Sequence, residues 1–124
     1  MTRFRIVLFL TTAVTAALVW SLPAVAHPSA AKAVTVKVTA GKPSEFHFTL
    51  SATSAAKPGA VVFDVTNKGS ISHTFKIDGK VTPLLSPGKS AKLTVTFKKA
   101  GKYPYLCTVP GHAAAGMKGT FTVK

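Results

Sequence analysis

The strongest constraint on how this chain folds is a two-residue hydrophobic rhythm that recurs, broken by turns, from Val34 to Val123. Successive side chains of a strand point to opposite faces, so a segment with one apolar and one polar face reads as a half-buried strand. Val34, Val36 and Val38 alternate with Thr35, Lys37 and Thr39, and Phe46, Phe48 and Leu50 alternate with His47 and Thr49. Gly59 to Thr66 continues the pattern with Val61, Phe63 and Val65, and Asn67-Lys68-Gly69-Ser70 closes it as a turn. The next strand puts His73, Phe75 and Ile77 on one face.

Pro83 to Lys89 reads as a loop, after which Leu93, Val95 and Phe97 alternate with lysines and threonines. Ala100-Gly101-Lys102 breaks that strand; Tyr103, Tyr105 and Cys107 share the next face, and Phe121 and Val123 mark the last strand. Ser51 to Pro58 is small and polar enough for a loop or a single helical turn. About seven short strands, evenly spaced turns and no long helical pattern predict an all-β fold, a Greek-key antiparallel β-sandwich of two sheets.

The first residues follow a different logic. Arg3 and Arg5 precede an apolar run from Ile6 to Trp20, and Pro23-Ala24-Val25-Ala26 ends it in a small-residue cleavage pattern. This predicts a signal peptide over 1–26, a short linker over 27–32 and one domain over 33–124. The alternative is an uncleaved N-terminal anchor, since the run approaches the roughly 20 residues of a spanning helix. Export implies a periplasmic, extracellular or cell-surface location.

Beyond residue 26 there are 14 lysines and no arginine against Glu45, Asp64 and Asp78, a formal charge of +11. Such an excess serves solubility, or steers the protein to an acidic partner, an anionic membrane or an envelope. Nucleic acid is a poor fit, because the lysines are scattered and export removes the target. Cys107 is the single cysteine, so an internal disulfide is excluded and an unpaired thiol, an intermolecular bridge or a metal ligand is left.

Its neighbours decide among these. Cys107, His112 and Met117 follow one another at spacings of five and five, with Pro110-Gly111 as a bend in the nine-residue loop between Cys107 and Met117. Singly, each has a plain structural reading: a buried thiol, a loop histidine, a core methionine. Together with His73, pointing inward just after the Asn67 to Ser70 turn, they form a set of two imidazoles, one thiolate and one thioether. That set suits a single copper ion cycling between Cu(I) and Cu(II), because soft sulfur favours one state and imidazole the other. Zinc accepts the Cys and both His but is poorly served by Met.

Asn67-x-Gly69-x-x-x-His73 and Tyr105-x-Cys107-x-x-Pro110-Gly111-His112-x-x-x-Gly116-Met117-x-Gly119 resemble the cupredoxin family of type I blue copper proteins. The Cys-x4-His-x4-Met spacing is closer to the rusticyanin and auracyanin members than to plastocyanin. The resemblance implies a Greek-key sandwich, one copper ion held by His73, Cys107, His112 and Met117, and one-electron transfer through the exposed edge of His112. Ser72 stands where azurins have glycine, and Thr74 where many members carry the Asn or Ser that ties the two ligand loops together.

The resulting expectation is an exported monomeric electron carrier, not an enzyme, serving acidic or membrane-bound redox proteins. Copper binding or delivery without a shuttle role is the alternative. Pro110, Ala113, Ala114, Ala115, Leu84 and Leu85 are candidates for an apolar docking surface around His112, and His47 reads as a surface residue. His27 would head the cleaved chain, but Pro28 lacks the amide that an amino-terminal copper site uses.

Overall fold

In the computed structural model, which describes residues 32–124, the alternating valines of the first stretch form β1 (Val34–Ala40), with Val36, Val38 and Ala40 buried. The expected leader over 1–26 and the 27–32 linker, all but Lys32, lie outside the described residues. The further strands are β2 (Phe48–Leu50), β3 (Ser54–Ala55), β4 (Gly59–Asn67), β5 (Lys76–Ile77), β6 (Lys80–Val81), β7 (Ser90–Phe97), β8 (Gly101–Leu106) and β9 (Lys118–Val123). Among the described residues there is no α-helix. The sheets run β2-β1-β4-β7 and β3-β9-β8-β5-β6.

The inward faces are those the alternation marks. Val61, Phe63 and Val65 of β4 with Val95 and Phe97 of β7 face Tyr105 of β8 and Phe121 and Val123 of β9. Phe63 sits at the centre, its ring centroid 5.3 Å from those of both Phe75 and Phe121. Burying four such phenylalanines stabilises the sandwich by about 1.5–3 kcal/mol each relative to exposure.

The sandwich is as expected, but its pairing is not purely antiparallel. β1 and β4 pair in parallel from Val34↔Val61 to Ala40↔Asn67, and β3 pairs in parallel with β9. Parallel neighbours need a crossover, and here β2 and β3 supply it, with β3 lying in the opposite sheet. This has a direct consequence for the site. The loops after β1 and β4 leave the sheet side by side at one end, and Lys68 N–H donates to Ala40 O at 2.9 Å across them.

Three further expectations are corrected. Ser51 to Pro58 contains β3 instead of being only loop or helical turn, because Ala55 docks on the C-terminal strand. His73 stands outside any strand, in an isolated bridge to Leu85, and only Lys76–Ile77 of its segment forms β5. Phe46 likewise precedes β2 and is 38% exposed.

Candidate metal centre

Asn67 sets the first half of the site. Buried at the end of β4, it donates from Nδ2 to Ile71 O and Leu85 O, both at 2.7 Å, and accepts Gly69 N–H on Oδ1 at 2.9 Å. These bonds fold the 68–72 turn back on itself. His73 then exchanges backbone hydrogen bonds with Leu85 at 3.0 and 2.8 Å, which points its fully buried ring inward without a regular strand.

The second half is the loop between β8 and β9. Its ends are tied where the ladder stops: Cys107 N–H donates to Met117 O at 3.0 Å, and Met117 N–H donates to His112 O at 3.0 Å. Between them, Gly111 at φ 84° turns the chain after Pro110, a left-handed backbone that glycine adopts without steric cost. His112 N–H to Val109 O (3.1 Å) and Ala115 N–H to Gly111 O (3.0 Å) hold the bend. Cys107 and Met117 are 1% and 0% exposed.

The loop and the turn bring three donor atoms together. His73 Nδ1 lies 3.1 Å from His112 Nδ1, and Cys107 Sγ lies 3.5 Å from His112 Nδ1 and 4.0 Å from His73 Nδ1. All lie within 4.8 Å of one another and belong to buried residues. Two imidazole nitrogens and a sulfur aimed at one point present three lone pairs that a single cation can accept together. Bond lengths of about 2.0–2.1 Å to nitrogen and about 2.3 Å to sulfur, typical of a first-row ion, let one ion reach all three across these separations.

Thr74 fills the tying role that the resemblance assigns to an Asn or Ser at this position. Its hydroxyl oxygen lies 2.7 Å from Thr108 Oγ1 and accepts Thr108 N–H at 2.8 Å, joining the two ligand segments. Its backbone N–H points at Cys107 Sγ at 3.4 Å, and a donor there steadies a thiolate.

Comparison with known proteins agrees with this geometry. Residues 11–124 match the family described as copper binding proteins, plastocyanin/azurin family. The chain belongs to the plastocyanin/azurin family. Among relatives, it is 49% identical over 49 residues to the copper-resistant cuproprotein CopI of Pseudomonas aeruginosa, a stretch covering 40% of this chain and 27% of that protein. It is 37% identical over 83 residues to rusticyanin of Acidithiobacillus ferrooxidans, covering 52% and 44%. The matched stretches thus span less than half the length of these relatives.

Solved structures give the same picture. Auracyanin B superposes with a TM-score of 0.62 at 28% identity, covering 74% of this chain and 89% of that one. Reduced rusticyanin gives 0.61 at 26% identity, covering 77% and 82%. In this plastocyanin/azurin-type chain His73, Cys107, His112 and Met117 are positioned for one copper ion.

Two residues that the sequence reading passed over adjoin the cluster. Glu45, in the loop after β1, accepts His73 Nε2–H at 2.8 Å. Hydrogen bonds from the Ser70 hydroxyl and amide, then from His73, hold its carboxyl down at about 2. Phe46 lays its ring edge-on against His112, centroids 5.0 Å apart. The His112 ring is held below the usual histidine range by burial first, then by His73, with Glu45 opposing. The only sequence signal for Glu45 was its rarity, as one of three acids among 14 lysines.

The residues expected to form an apolar surface differ in exposure, and Ala113 is half-buried. Pro110, Ala114 and Ala115 are exposed and Leu84 is 62% exposed, but Leu85 is buried in the core, drawn in by its bridge to His73. His47 is exposed, as expected of a surface residue.

Proposed function

We propose that this chain is an exported type I copper protein that carries single electrons between redox partners, in which His73, Cys107 and His112 would be the strong ligands and Met117 the weak one. The observation that carries this reading is the convergence of two Nδ1 atoms and one Sγ, all from buried residues, within 4.8 Å of one another, with the fully buried Met117 ending the same loop. When bound, copper supplies a one-electron couple at neutral pH.

The protein's own part is to hold the ligands still. Cys107 and Met117 are pinned by the end of the β8–β9 ladder, and Thr74 ties their loop to the His73 segment. Ligands fixed in this way leave little rearrangement to accompany a change of oxidation state. With Nδ1 turned to the cluster, the Nε2 edge of His112 faces away from it; the residue is 8% exposed, and this edge is the route for the electron.

The lysine excess and the exposed Pro110, Ala114 and Ala115 suit brief docking to an acidic or membrane-bound redox protein and peripheral association with an anionic surface. The Arg3–Arg5 and Ala24–Ala26 pattern supports export. Nothing in the set suggests catalysis, since four ligands leave no open position for substrate. The similarity to a copper-resistant cuproprotein favours a second reading, copper binding or delivery without a shuttle role.

Repeated chemical reduction and reoxidation of the copper-loaded protein in the presence of a strong copper(I) chelator separates the two. The electron-carrier reading expects full recovery of the oxidised spectrum with the metal retained. Transfer of the metal to the chelator on the first reduction would favour delivery.

A further inference from the structure

The only ion pair among the described residues joins Glu45 Oε1 to His73 Nε2, at 2.8 Å. All 14 lysines lie within the described residues, yet none is within 4.0 Å of this carboxylate. A flexible surface glutamate in so basic a chain would be drawn to a lysine. Glu45 is fixed elsewhere: Oε2 accepts Ser70 Oγ–H at 2.7 Å and Ser70 N–H at 2.9 Å, while Oε1 accepts Ser70 N–H at 3.1 Å and Ile71 N–H at 3.3 Å. The carboxylate is therefore anchored to the turn that presents His73 and shares its Oε1 with the imidazole.

The backbone makes room for this contact. A Cβ on Gly69 would strike Glu45 Oε1 and lie 3.0 Å from its Cδ and 3.1 Å from His73 Nε2. A Cβ on Gly41 would strike the Gly69 backbone. Glycine at both positions lets the loops after β1 and β4 approach closely enough for the carboxylate to reach the ring. The parallel β1–β4 pairing is what puts those loops at the same end.

We propose that Glu45 is a positioning residue of the copper centre, fixing the proton of His73 on Nε2 and biasing the bound metal toward its oxidised state. The inference rests on the reading of His73 as a copper ligand. Only the tautomer with hydrogen on Nε2 leaves the Nδ1 lone pair free for a metal, and an ionised acceptor at Nε2 enforces it. The same hydrogen bond pushes electron density into the ring and makes Nδ1 a stronger donor. A fixed negative charge on the far edge of the ligand also favours the higher positive charge of Cu(II) over that of Cu(I). Both effects lower the reduction potential.

The test uses the full chain loaded with copper, as the parent and as Glu45→Gln, which keeps the shape and removes the charge. The parent must first show an intense thiolate–copper absorption band; its absence would overturn the copper-site reading and this inference with it. Given that band, the expected result for Glu45→Gln is a retained band and a one-electron reduction equilibrium shifted at least tenfold toward Cu(I), which is about 59 mV upward. A shift below twofold, or one in the other direction, would overturn the role of Glu45 while leaving the copper site standing.

Nitrogen-15 NMR of the copper(I)-loaded parent tests the tautomer without any variant, so the inference stays exposed if Glu45→Gln does not fold. The expected signal is a His73 Nε2–H proton exchanging far more slowly than that of exposed His47. A His73 without hydrogen on Nε2, or exchanging as fast as His47, would overturn it.

Discussion

Thr74 Oγ1 lies 2.7 Å from Thr108 Oγ1 and accepts the Thr108 amide at 2.8 Å, so one hydroxyl bridges the segment that presents His73 and the loop that presents Cys107, His112 and Met117. Residues 34 apart in sequence are thereby coupled next to the cluster. Thr74→Val keeps the shape and removes the bridge, leaving the Thr108 N–H without its acceptor. The expected cost is about 1–2 kcal/mol, read as a lower denaturant midpoint of the copper-loaded protein at unchanged m-value. Thr74→Ser should restore most of it.

Gly69→Ala should damage the site through space alone. The added methyl meets the Glu45 carboxylate and the His73 ring, both held by other contacts, so the cost should be about 1–3 kcal/mol, in the range of overpacking. The visible spectrum of the copper-loaded variant should shift with the displaced His73. An unchanged spectrum and midpoint would mean that Glu45 swings away freely.

Tyr105 is buried against Phe48 and Phe75, and burial raises the affinity of its phenol for the proton above the ordinary value of 10.0. The folded state therefore keeps a proton that the unfolded chain releases. Its stabilising contribution is fully present below pH 10 and declines as pH rises through the unfolded and then the folded titration. Unfolding midpoints of the parent should fall more steeply above pH 10 than those of Tyr105→Phe. Parallel curves would show that Tyr105 plays no part in the alkaline limit.

The lysine excess predicts electrostatic steering. Oxidation of the reduced protein by anionic hexacyanoferrate(III) should slow as salt is raised from low ionic strength to about 0.15 M, where the Debye length is about 8 Å. A small cationic oxidant should show the opposite trend. Rates independent of salt for both would remove steering as a role for the lysines.

The parts of this molecule that were legible in the sequence are those in which local pattern decides the outcome. Alternation gives a strand its inward face, so Val36, Val38, Val61, Phe63, Val65, Val95 and Phe97 could be placed in the core. Cys107, His112 and Met117 lie on one short loop with a Pro-Gly bend, so their spacing alone brings them together. Alternation does not name a strand's partner, and for this reason the parallel β1–β4 pairing was not visible.

That missed pairing hid what depends on it. An antiparallel β1–β4 pair would send the loops after those strands to opposite ends of the sheet; the parallel pair puts Glu45 beside His73, 28 residues away in sequence. Phe46 alternates with His47 as a strand residue would, and only the packed structure shows it leaving the sheet to cover His112. β3 is two residues long, too short for any periodicity to register.

The central claim, that one copper ion is held through the Cys107 thiolate, is tested most directly by the visible absorption spectrum of the copper(II)-loaded protein beside that of Cys107→Ser. The account predicts an intense blue or green charge-transfer band at one copper per chain, abolished by the substitution. A colourless copper complex, or a band that survives the loss of the sulfur, would contradict it.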